Sequence, residues 1–184
     1  MGQLMNIDNA LWDFALKFYA EPLMAQQLLS LQDEENLNVN VLIFAIWLAT
    51  QKRCLIASPD AEKVINHWHM QVIEPIREAR AQVKRQRAAS SKFNRALEGS
   101  YQQLLKTELA MEQVELMLLF DAQQRLSESR PKTAQDDSLI KKNLLYYFKS
   151  VYLGPINKSN QQAYFVKCEL LISCAENILG NADY

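Results

Sequence analysis

Residues 38–52 read NVNVLIFAIWLATQK. Nine consecutive apolar side chains, Val41 to Ala49, leave a helix no polar face to turn to water. A bilayer span needs about 20 such residues, so this run is too short to cross a membrane. The stretch is therefore expected to be a central helix, capped by Asn38, running to about Lys52 and buried on all sides. A helix apolar all round needs neighbours to surround it, and the rest of the chain is read for them.

The composition agrees with helical neighbours. Among 184 residues there are 26 Leu, 19 Ala and 16 Gln, against only 4 Gly and 5 Pro. Good helix formers abound and turn residues are scarce, which disfavours a sandwich or barrel. The expected fold class is all-α: a bundle of about five helices plus a C-terminal two-helix extension. Upstream, a first helix is expected from Asp8, as N-cap, to Ala20. Pro22 opens a second, to about Asp33, and Asp33-Glu34-Glu35-Asn36 is expected to be a loop. Downstream, Ser58-Pro59-Asp60 is a helix start, followed by a long apolar stripe from Ala61 to Val83. Pro75 lies inside that stripe. Its ring is expected to clash with the Gln71 carbonyl and kink the helix, a break at Glu74 being the alternative. A turn near Ser91 and a fifth helix to about Leu126 complete a helical hairpin. Residues 8–126 form the expected core domain, 127–136 a polar linker and 137–180 a C-terminal helical hairpin. That hairpin's aromatic residues, Tyr146, Tyr147, Phe148, Tyr152, Tyr164 and Phe165, are expected to pack back on the bundle or on another subunit.

The net charge of −1 excludes a chain that is basic throughout, yet it conceals a local excess. Arg77, Arg80, Lys84, Arg85, Arg87, Lys92 and Arg95 face a single acid, Glu78, a charge of +6 in 19 residues. Arg77, Arg80, Lys84 and Arg87 step by three, four and three, so they share a helix face. Such a stripe suits phosphates along a nucleic-acid backbone. It equally suits Glu108, Glu112 and Glu115, which step by four and three on the next helix. With a turn near Ser91, Arg77 falls roughly level with Glu108. Lys84, Arg85, Arg87, Lys92 and Arg95 at the tip have no obvious acidic partner in sequence and form the better partner surface.

Other chemistry is thinly represented. His67 and His69 point apart on an α-helix and lack Cys partners, so no metal site is expected; one of them can meet Glu112 or Glu115 across the hairpin. A di-iron bundle needs Glu three residues before a ligand His, and residues 64 and 66 are Val and Asn. There is no Gly-x-Ser-x-Gly elbow and no Gly-rich phosphate loop. No catalytic residue and no cofactor is expected. Cys54, Cys168 and Cys174 lie in apolar segments, are odd in number and suit a reducing, cytoplasmic setting. No signal peptide is read at the N-terminus. Trp12, Trp47 and Trp68 read as core anchors. Asn38 and Asn40 are placed to serve the free N–H groups at the start of the central helix, with Asp33 near them. The sharper alternative is a small polar binding niche of Asp33, Asn38 and Asn40.

Several ordered motifs carry a resemblance. Leu11-Trp12-x-Phe14-Ala15-Leu16-x-x-Tyr19-Ala20-x-Pro22 is followed by Leu31-Gln32-Asp33. Then come Val39-Asn40-x-Leu42-x-Phe44-x-x-Trp47-Leu48, Trp68, and Val72-Ile73-x-Pro75-Ile76-Arg77. Glu108-Leu109-x-x-Glu112-Gln113-x-Glu115-Leu116 closes the set. Over roughly residues 11–119 the chain resembles a small gammaproteobacterial family known as a domain of unknown function. The resemblance implies a bacterial cytosolic protein, with a gene often near that of an ABC-F type ATPase of the translation-associated class. The family usually has Gly after Leu-Gln-Asp and an acid before Val-Asn; here those places hold about Asn36 and Asn38. Asn tolerates the left-handed backbone that a Gly there would serve.

Three functions fit these observations. The first is a non-enzymatic interaction module, with a protein partner or self-association. The second is an RNA- or ribosome-associated factor using the basic hairpin tip. The third is a small-ligand binder or enzyme with a polar pocket near Asp33 and Asn40.

Overall fold

A computed structural model of the chain describes residues 7–55, 61, 63–89, 93–125, 139–148, 166 and 169–177. Among them there are helices and no strand, so the protein is an all-α bundle. Helix α1 spans Ala10–Ala20, α2 Pro22–Glu35 and α3 Val39–Thr50. A π-helical stretch, π1, covers Val64–Ile73 and runs directly into α4, Glu74–Ala89. Helices α5, Asn94–Arg125, and α6, Leu139–Tyr146, follow, and residues 169–177 are also helical.

The chain ends of these helices follow their side chains. Asn9, not Asp8, caps α1: its Oδ1 accepts from the N–H groups of Leu11 (3.0 Å) and Trp12 (3.1 Å). Pro22 stands first in α2, where its missing N–H costs nothing. The expected loop at Asp33-Glu34-Glu35 is instead the last turn of α2, which stops at Asn36 in the left-handed conformation (φ 54°). There Asn36 N–H donates to Gln32 O and Leu37 N–H to Leu31 O, closing the helix end. Asn38 caps α3 as expected, accepting from Asn40 N–H (3.0 Å) and Val41 N–H (3.2 Å).

Helix α3 is the centre of the core. All ten residues from Val39 to Leu48 are buried. Around it lie Leu11, Phe14 and Phe18 of α1, Met24, Leu28 and Leu31 of α2, and Leu116 and Leu119 of α5. Each such side chain contributes about 1.5–3 kcal/mol by leaving water. Trp47 lies between Phe44 and Phe120, with ring centres 6.2 and 5.6 Å away. Ile140, Leu144, Tyr147, Phe148, Leu171 and Ala175 belong to the same cluster, and Tyr146 packs against it. Tyr152, Tyr164 and Phe165 lie outside the described residues, as do the Ser58-Pro59-Asp60 start, the linker 127–136 and Cys168.

Two polar side chains of the C-terminal region tie α3 at both ends. Tyr147 Oη accepts the Asn38 N–H at 3.0 Å. Buried Asn143 donates to Ala45 O (2.9 Å) and Arg53 O (3.0 Å) and accepts from Leu55 N–H (2.8 Å). Arg53 O and Leu55 N–H lie just past the last turn of α3, where helical partners run out, and Ala45 O lies within the helix.

Pro75 does not divide the helix. It is the second residue of α4, and the hydrogen-bond ladder changes there. Glu74 N–H still bonds five residues back, to His69 O. The helical run continues from Val64 to Ala89 without a break at Glu74. A wider π turn before the proline removes the α-helical carbonyl that its ring would strike.

Candidate functional site

Helix α5 carries Glu108, Glu112 and Glu115 on the face turned to π1, α4 and the start of α3. Glu115 is completely buried. Its carboxylate receives Asn38 Nδ2 at 2.8 Å and Asn40 Nδ2 at 2.7 Å, one on each oxygen. Asn40 also reaches the Glu112 carbonyl at 3.4 Å. Two amides thus replace the water that a buried carboxylate has lost. A third partner is His69, whose Nδ1 lies 3.1 Å from Glu115 and whose Nε2 lies 3.1 Å from Glu74. Both ring nitrogens can donate only in the imidazolium form. Burial pushes the His69 pKa down, but hydrogen bonds to Glu115 and Glu74 outweigh it and hold the value at about 9. His69 is therefore charged at neutral pH. Its hydrogen bond in turn holds the Glu74 carboxyl below its ordinary value.

The network continues along the hairpin. Arg77 donates from Nε to Glu108 (3.1 Å), from Nη1 to Glu74 (3.3 Å) and from Nη2 to Glu112 (2.6 Å) and Gln32 (2.9 Å). One guanidinium thus joins α2, α4 and α5 through a planar fork that a lysine could not supply. Arg80 makes a two-point contact with Glu108. Glu112 is pushed above the usual carboxylate range by burial, although Arg77 opposes it. Tyr19 is raised by burial and by the Glu112 charge. Trp68 Nε1 donates to Met111 O at 3.0 Å and fastens π1 to α5.

Of the proposed niche, Asn38 and Asn40 meet in this cluster and Asp33 does not: it lies exposed on α2. Its place is taken by Glu115, 75 residues from Asn40 in sequence. The four-three spacing of Glu108, Glu112 and Glu115 marked the face but not the asparagines as its partners. Among the described residues, no buried side-chain nitrogen or oxygen lacks a hydrogen-bond partner. Within the same residues no three His, Cys, Asp or Glu side chains are grouped to hold a metal ion. The cluster is chemically closed on itself, and its polar groups hold helices together. His67 is exposed, and Cys54 and Cys174 are half-buried free thiols.

The other end of the hairpin has the opposite character. No described residue between Glu74 and Thr107 is buried, although α4 and α5 pack side by side there. Arg87 pairs with Glu98 and lies over the Tyr101 ring, 4.8 Å from its centre. Three of the seven basic residues, Arg77, Arg80 and Arg87, are thus engaged within the hairpin. Lys84, Arg85 and Arg95 are exposed, and among the described residues none of the three forms an ion pair. Lys92 lies outside the described residues. Phe93, immediately before α5, shows 61% of its surface.

A family model described as "Protein of unknown function (DUF2390)" matches residues 10–119, which takes in α1 through most of α5. No curated protein and no solved structure matches the chain. Among the described residues, no helix is long and apolar enough to cross a membrane.

Proposed function

The chain belongs to this family of unknown function, and on that premise we propose that it is a cytosolic, non-enzymatic interaction module. It works through the distal part of the α4–α5 arm on a polyanionic partner, RNA or the RNA surface of a ribosome. The observation that carries this reading is the contrast along the basic stripe. Arg77, Arg80 and Arg87 are neutralised inside the hairpin, while Lys84, Arg85 and Arg95 are held in water on the stretch from Glu74 to Thr107, where no described residue is buried. Holding like charges together at a surface disfavours the free protein slightly and favours an anionic partner. The absence of leftover polar groups in the buried cluster supports a non-enzymatic role, because a catalytic site needs groups free to meet a substrate. Co-sedimentation with ribosomes at low salt tests the proposal. The wild-type chain is expected to pellet with them and to be released as salt rises. The triple variant Lys84→Glu, Arg85→Glu, Arg95→Glu is expected to stay in the supernatant. Equal pelleting of the two proteins would refute it.

A further inference from the structure

The anion can be specified further from what accompanies the charges. The described part of the arm, Glu74 to Thr107, contains two aromatic residues, Phe93 and Tyr101. Tyr101 is half-buried beneath Arg87. Phe93 presents 61% of its surface at the point where α5 begins, two residues before Arg95. The pairs Arg80–Glu108 and Arg87–Glu98 fix the register of the two helices. In that register Lys84 and Arg85 lie beside residues 100–104 of α5. Phe93 stands at the tip, with Arg95 about 3 Å and Lys84 and Arg85 about 10–15 Å further toward the bundle, at about 1.5 Å per residue. An exposed ring at the end of a run of cations matches how single strands are held: bases stack on the ring and phosphates meet the cations. A duplex hides its bases from such a ring. A membrane surface would call for a broad apolar face; α4 instead is the most polar helix of the described chain, with no buried residue.

Resting on the proposed function above, we infer that the arm tip binds single-stranded RNA, with Phe93 as the stacking platform for a base and Lys84, Arg85 and Arg95 as phosphate contacts. Three phosphate contacts give a salt dependence of about −2 in log K against log salt. Loss of one stacked base weakens binding about 5- to 100-fold.

The test is fluorescence anisotropy of the full chain with a labelled unstructured 12-nucleotide RNA, a 12-base-pair RNA duplex, and vesicles containing anionic lipid. Phe93→Ala and Phe93→Leu are expected to weaken single-strand binding by that factor, Phe93→Trp to retain it, and the wild type to prefer the single strand to the duplex. If Phe93→Ala binds like the wild type while the triple Glu variant loses binding, the stacking inference falls and the polyanion proposal stands. If the triple Glu variant binds both RNAs unchanged, both fall. Binding to vesicles that Phe93→Leu preserves, without binding to RNA, would overturn the inference in favour of membrane insertion. Circular dichroism of each variant, unchanged from the wild type, confirms that the fold is intact at this exposed position.

Discussion

The same hairpin carries arginines at both ends and uses them in opposite ways. Near the bundle, Arg77 and Arg80 have side chains only 11% and 18% exposed and reach carboxylates that are themselves largely hidden from water. Toward the tip, Arg87 and Glu98 are 30% and 46% exposed. In the first setting a charge without its partner is costly, because little water can replace it. In the second, water replaces the partner and the pair contributes about 0–1 kcal/mol. What distinguishes the two ends is the apolar surroundings rather than the residue type. Stability is concentrated at the base, which leaves the tip free to vary its charges at little cost to the fold.

The comparison can be broken at its strongest point first. Glu115→Ala leaves Asn38, Asn40 and His69 facing a void. A loss of about 3–5 kcal/mol in urea unfolding is expected. Glu115→Gln keeps an acceptor for one asparagine and should lose less. A result below about 1 kcal/mol for the alanine variant would remove the distinction between base and tip.

The next effect is on pH. His69 titrates at about 9 in the fold and at 6.5 when unfolded, so folding takes up its proton. Its contribution is therefore complete below about pH 6.5 and is lost as pH rises through 9. The difference amounts to about 3 kcal/mol between those limits. Unfolding free energies measured from pH 6 to 10 should fall accordingly, and the fall should shrink in Glu115→Gln. Arg87→Ala, which removes the Glu98 pair and the contact over Tyr101, comes third, with an expected loss of about 0.5–1.5 kcal/mol. Last, reversing Lys84, Arg85 and Arg95 to Glu should change stability by less than about 0.5 kcal/mol. That small change, set beside a lost binding signal, would separate recognition from folding.

Much of the base was legible locally. The Asn38 cap follows from a polar residue before an apolar run, and the Arg77–Glu108 level follows from the turn near Ser91. The partner of Asn38 and Asn40 was not legible, because Glu115 arrives from another helix and nothing in its own neighbours names them. Asp33 was misplaced for a related reason. Four polar residues in a row resemble a loop, but an exposed helix end is equally polar, and Asn36 supplies the stop only at its own position. At Pro75 the usual α-helical rule presumes the very hydrogen-bond ladder that π1 replaces, so the clash with the Gln71 carbonyl does not follow from the sequence alone. At the tip, charge spacing along the sequence could not separate Arg87, which finds Glu98, from Arg85, which remains in water.

The bonds from Asn143 and Tyr147 to the two ends of α3 have a consequence in time. They join residues 88 to 109 positions apart. At about 5–20 residues per second, the most apolar of the described helices is synthesised roughly 5–20 s before the groups that finish its ends. During that interval α1 and α2 are the cover already made, and the nascent chain must keep its central helix from other apolar surfaces until its closing segment emerges.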